Sequence, residues 1–152
     1  MFHPVRAWCA RHSATALFVT SKPASKLTVS IVVYHLDEPV LKQTLGSLAL
    51  AADNARQAGL LGELHLFLID NSPTGTQRQA LMLLAQPLES QGLSTQVISG
   101  HGNVGYGQGH NLAIRQSTPN AADDSYYLLL NPDVIIAADA LTVGLQSLST
   151  HQ

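Results

Sequence analysis

The chain has almost no cysteine, little charge and no long apolar run. A single cysteine, Cys9, rules out a disulfide framework and a thiolate zinc site. Only 12% of the 152 residues are charged while 45% are hydrophobic, which excludes a disordered polyelectrolyte and favours one packed domain. A net charge of -2 speaks against a nucleic-acid partner bound by electrostatics. No segment approaches the roughly 18 apolar residues that span a bilayer. Ala14 to Val19 is also short for a signal-peptide core. The charge is uneven: Arg6, Arg11, Lys22 and Lys26, four of the eight basic residues, precede the first acid, Asp37. Residues 1–25 are therefore expected to be a flexible basic N-terminal extension, with Trp8 and Cys9 in it carrying no role. Residues 26–152 form the domain.

Within the domain the pattern alternates between strand and helix. Thr28 to Tyr34, rich in β-branched residues, predicts the first strand. Asp37, Glu38 and Pro39 then start a helix that buries Val40, Leu41, Leu45, Leu48 and Ala52 and stops near Gly59. Leu64 to Ile69 is a second strand, followed by a helix from Thr76 to Ala85 with Leu81, Leu84 and Leu88 toward the sheet. Thr95 to Ser99 is a short third strand, and a glycine-rich segment from Gly100 to Asn111 passes into a helix carrying Leu112, Ala113 and Ile114. Tyr126 to Val134 reads as a central strand buried on both faces, broken at Asn131-Pro132-Asp133, with a last helix from Ala138 to Leu148. This order predicts an α/β fold: a mostly parallel sheet with helices on both faces.

In a parallel sheet the carboxyl ends of the strands share one edge, where ligands bind. Three of these ends carry polar groups: Tyr34-His35, Asp70-Asn71 and Asn131-Pro132-Asp133. Asp133 can hold a divalent cation against a phosphate-bearing ligand, or simply cap the next turn. The five glycines between Gly100 and Gly109 let backbone N–H groups approach an anion, or serve only a tight connection. His101 and His110 flank that loop and either touch phosphate or stand in solvent. Gly100-x-Gly102-x-x-Gly105 matches the dinucleotide fingerprint, but it follows a third strand, and the acids at the right distance, Asp123 and Asp124, precede a strand. An NAD-dependent oxidoreductase is thus the weaker alternative. No Gly-Lys-Ser/Thr phosphate loop is present.

Taken in order, Val29-Ser-Ile-Val-Val-Tyr34, Leu45-Gly-Ser-Leu48, Leu68-Ile-Asp-Asn-Ser72, Gly102-Asn-Val-Gly-Tyr-Gly-Gln-Gly-His-Asn111 and Leu129-Leu-Asn-Pro-Asp-Val134 resemble family 2 glycosyltransferases of the GT-A fold. The glycine-rich piece looks most like the rhamnosyltransferase branch. The resemblance implies a Rossmann-like nucleotide-binding half, with a dTDP-rhamnose or UDP-sugar donor and a glycan or lipid-linked acceptor in cell-surface polysaccharide synthesis. It implies that Val33, Tyr34 and His35 form the floor under the base, that Asp70 accepts from the pyrimidine N3–H, and that Asn71, Asn103, Gly105, Asn111 and Asn131 line the donor pocket. Asp133 would hold Mg²⁺ or Mn²⁺. The chain departs from the family's Asp-x-Asp motif at Asn131, whose amide oxygen would face the donor or a metal-bound water. Nothing after Asp139 is acidic, so the catalytic base is expected in a missing C-terminal half, and the chain reads as a truncated donor-binding part. The alternative is a non-catalytic nucleotide-binding remnant. The expected location is the cytoplasm, with peripheral attachment to the inner membrane face by analogy.

Overall fold

A computed structural model describes residues 24–117 and 125–150. The elements are β1 (Ser25–Val33), α1 (Glu38–Gln57), β2 (Leu61–Asp70), α2 (Arg78–Ser90), β3 (Ser94–Ile98), α3 (Tyr106–Gln116), β4 (Ser125–Leu130) and α4 (Ala140–Thr150). The expected alternation therefore holds throughout the described residues. All three strand pairings are parallel, and the four strands lie in the order β3-β2-β1-β4, a Rossmann-like arrangement. The expectations for residues 1–23, including the basic arm, and for Asp123 and Asp124 fall outside the described residues.

Strand period decides which side chain meets which helix. Leu27, Val29, Ile31 and Val33 of β1 and Leu64, Leu66 and Leu68 of β2 point to the larger core, where they meet Leu41, Leu45, Leu48, Ala52 and Ala55 of α1 and Leu81, Ala85 and Leu88 of α2. Leu141 and Leu145 of α4 join the same cluster. The opposite face buries Val32, Phe67 and Ile69 against Ala113 of α3. Helices thus cover both faces, three on one and α3 on the other.

The start of α1 follows its sequence cues closely. The Asp37 carboxylate accepts a hydrogen bond from the Val40 N–H at 3.1 Å, satisfying one of the orphan donors of the first turn. At the far end Gly59 takes φ +71°, a conformation that ends a helix cheaply only at glycine.

Three expectations need correction. The strand at 126–134 is not central: β4 stops at Leu130 and pairs only with β1, making it an edge strand among the described residues. Its Leu129 is 50% exposed, because α3 packs over β1 and β2 and leaves a groove of about 660 Å³ beside Tyr127, Leu129 and Ile114. The second helix runs past Ala85 to Ser90, through Pro87. The proline forfeits one helical N–H, yet burial of Leu88 and the bond from Leu93 N–H to the Leu88 carbonyl at 3.1 Å hold the last turn in place. Finally, α3 begins at Tyr106, inside the glycine-rich segment rather than after it.

That early start has a packing reason. A β-carbon at Gly109 would lie 2.9 Å and 3.2 Å from the two Val32 methyls and 3.6 Å from a methyl of Ile69, so α3 approaches the sheet closer than any larger residue allows. Gly109→Ala is expected to destabilise the fold by about 1–3 kcal/mol in urea unfolding, the usual cost of overpacking. Gly46, exposed in α1 with nothing near its added β-carbon, is the control. Gly46→Ala is expected to stabilise by roughly 0.5–1 kcal/mol.

Candidate functional site

Because every strand runs the same way, the carboxyl ends of β1, β2 and β4 meet at one edge of the sheet. The chain order reverses between β1 and β4: β2 and β3 are added on one side of β1, then β4 on the other. That reversal is the place where open α/β sheets hold ligands. A cleft of about 380 Å³ opens there, lined by Val33, His35, Leu36, Asp37, Val40, Leu41, Pro132 and Asp133.

Each wall of the edge is fixed by identifiable bonds. After β1, Val33 is buried and its carbonyl accepts from the Asn71 N–H at 2.8 Å. Tyr34 and His35 emerge into solvent with their rings 4.2 Å apart and tilted by 59°. Gln77 steadies this corner by donating to the Tyr34 carbonyl at 2.7 Å. After β4, the Pro132 carbonyl accepts from the Thr44 hydroxyl of α1 at 2.8 Å, which anchors the Asn-Pro-Asp turn. Asp133 is exposed, and α4 begins only at Ala140, so Asp133 is not its cap.

The end of β2 is the most deeply buried. Asp70 is fully shielded, and its Oδ1 accepts from both the N–H and the hydroxyl of Ser72, at 3.1 Å and 2.6 Å. Its Oδ2 is equally buried but has no hydrogen-bond partner among the described residues. A buried acceptor left without a donor would cost about 1–3 kcal/mol, so Oδ2 is a place for an incoming N–H or O–H.

Asn71 ties that strand end to the glycine loop. Its Oδ1 accepts from the Val104 N–H at 3.1 Å, and its Nδ2 donates to Asn103 Oδ1 at 3.1 Å. Asn103 Oδ1 also receives the Gly105 N–H at 3.0 Å. Asn71, Asn103 and Gly105 therefore meet, but they hold one another, and their first task is to shape the loop. Gly105 sits at φ 83° and ψ 163°, a region open essentially to glycine alone. Asn111 is the outlier. It lies on α3 beyond Tyr106 by five positions, or about 7.5 Å along the axis, exposed and away from the strand ends.

His110 departs from both roles open to it in the sequence. It is 1% exposed, with Nδ1 2.6 Å from the Ser30 hydroxyl and its ring edge-on to Tyr106 at 4.4 Å. It pins α3 to β1 rather than touching solvent. Tyr106, Ser72, Gln77 and Ser30 were missed by sequence reasoning. Tyr106, Ser72 and Ser30 stand inside the motifs quoted above without a role of their own, whereas Gln77 carries no signal in the sequence.

Among the described residues no group of three or more His, Cys, Asp or Glu side chains is placed to hold a metal. One exposed carboxylate suits a cation that arrives with phosphate oxygens and water, as Mg²⁺ commonly does, and does not suit a cation held by protein alone. No helix of the described residues is long and apolar enough to cross a membrane. No family model, curated protein or solved structure matches the chain.

Burial holds the His110 pKa below its ordinary 6.5, and does the same for His65. As pH falls through 6.5 the unfolded chain therefore takes up protons before the folded one. Their contribution to stability is complete above 6.5 and is lost as pH falls from there toward the folded-state values. Urea midpoints are expected to drop between pH 7 and pH 5, with a shallower slope in His110→Gln; an unchanged slope in that variant would remove His110 as a source.

Proposed function

We propose that the chain is the donor-binding part of a family 2 glycosyltransferase of the GT-A type, taking a pyrimidine nucleotide-sugar such as dTDP-rhamnose or a UDP-sugar. The observation that carries the proposal is the buried, unpartnered Asp70 Oδ2 at the carboxyl edge of the sheet, paired in register with Val33, which lines the crevice where the strand order reverses. An acceptor there suits the N3–H of a pyrimidine base, a donor common to uracil and thymine. Tyr34 and His35 flank the base, and the glycine loop with the start of α3 faces the diphosphate.

Asp133 stands where it can share Mg²⁺ or Mn²⁺ with that diphosphate. When bound, the cation would offset the charge that develops on the leaving group. Asp70 orients the base and the loop orients the phosphates, so the sugar carbon is presented outward from the edge to a glycan or lipid-linked acceptor. Donor binding is the part assigned to this chain, and none of its residues is assigned the base that deprotonates the acceptor hydroxyl. The glycine fingerprint favours an oxidoreductase less, because the loop follows β3 rather than β1.

Calorimetric titration with dTDP and UDP, with and without Mn²⁺ and with NAD as control, tests the proposal. The wild type is expected to bind at least one pyrimidine diphosphate, more tightly with Mn²⁺, and to ignore NAD. Asp70→Ala is expected to weaken binding by about tenfold or more, in line with 1–3 kcal/mol for a buried hydrogen bond. Asp133→Ala should abolish the gain from Mn²⁺. Equal binding by wild type and both variants, or none by the folded wild type, would sink the proposal.

A further inference from the structure

Asn131 stands where the resembling family carries an acid, and its amide oxygen was expected to face a ligand or a metal-bound water. In the structure that oxygen is already engaged. The Tyr106 hydroxyl donates to Asn131 Oδ1 at 2.7 Å. Tyr106 is held in turn as the first residue of α3, with its ring packed on the buried His110. The amide is thereby oriented: its oxygen points to Tyr106, and its Nδ2, with two N–H donors, has no hydrogen-bond partner among the described residues.

A donor of this kind cannot ligate a cation. It can bind an anionic oxygen directly, and hydrogen bonds to charged acceptors are about twice as strong as neutral ones. Its surroundings favour that use. The Tyr106, Gly107 and Gln108 N–H groups begin α3 without an intrahelical partner, and the cap residue, Gly105, has no side chain to meet them. The nearby Asp133 would repel a phosphate, which makes a neutral donor, rather than a second carboxylate, the residue that lets an anion settle without a cation between.

We infer that Asn131, oriented by Tyr106, contacts a phosphate oxygen of the nucleotide directly, so that diphosphate binding survives removal of the metal and the cation at Asp133 only strengthens it. This rests on the proposed donor site and deepens it: the tyrosine is a positioning residue, and the amide relaxes a metal requirement.

The test is titration of wild type, Asn131→Asp, Asn131→Ala and Tyr106→Phe with UDP or dTDP, whichever the wild type binds (UDP below), and with the matching nucleoside, each in EDTA and in Mn²⁺. Circular dichroism confirms that each variant is folded, as expected for substitutions at exposed positions. Wild type is expected to bind UDP in EDTA within about tenfold of its Mn²⁺ affinity. Asn131→Asp should lose at least about tenfold in EDTA and recover with Mn²⁺. Asn131→Ala should weaken UDP about tenfold in both conditions, and Tyr106→Phe several-fold, with uridine unchanged throughout. Loss of wild-type UDP binding in EDTA while uridine still binds would overturn the inference and leave the donor site standing. Equal weakening of uridine and UDP by Asn131→Ala would do the same, since the amide would then read the ribose. Absence of UDP, dTDP and both nucleosides from the wild type would remove the donor site itself, and the inference with it.

Discussion

The close approach of α3 to the sheet is the contact on which the rest of the edge depends. Gly109 lets the helix backbone rest against Val32 and Ile69, and nothing larger fits without moving them. Once α3 lies that deep, its next residue, His110, is carried below the surface, where its Nδ1 meets the Ser30 hydroxyl of β1 at 2.6 Å and its Nε2 has no partner among the described residues. The same depth sets the height of the helix start. Tyr106 comes level with the end of β4, and the loop before it has to cross from β3 in the few residues from Ser99 to Gly105. Positive φ at Gly100, Gly102 and Gly105 is the consequence of that short crossing.

A second constraint acts at the end of β2. Asp70 is buried, and one oxygen is satisfied by the two Ser72 donors while the other has no partner among the described residues. Asn71 beside it is occupied on both sides of its amide. Asn71, met on both sides, shapes the loop, whereas Asp70 keeps one buried acceptor without a partner at the carboxyl edge of the sheet.

Much of this was legible in the sequence because it rests on local chemistry. β-branched runs marked β1 and β2, and Asp37, Pro39 and Gly59 marked both ends of α1, since caps and turn conformations act over only a few residues. The polar strand ends could be placed together because parallel pairing forces them onto one edge. What escaped notice depends on neighbours. An apolar run such as Tyr126 to Leu130 says that its side chains need cover but not whether a strand or helix supplies it, and β4 proved to be an edge. Pro87 looks like a stop until the packing of Leu88 outweighs its missing bond. Likewise, His110 reads as a loop histidine until Gly109 is known to draw the helix inward, and Tyr106 acquires its meaning only from Asn131, which lies 25 positions away.

The Asn-Pro-Asp turn draws these constraints together, because it is gripped from both faces of the sheet. Thr44 holds the Pro132 carbonyl from the α1 side, and Tyr106 holds Asn131 from the α3 side. Proline fixes the backbone between the two grips, so the exposed Asp133 is carried by a rigid turn. A shift of α3, whose position is set at Gly109, would pass through Tyr106 to this turn. The packing of a glycine on the sheet and the position of a carboxylate at its edge are in that sense one structural decision, made by the depth at which a single helix sits.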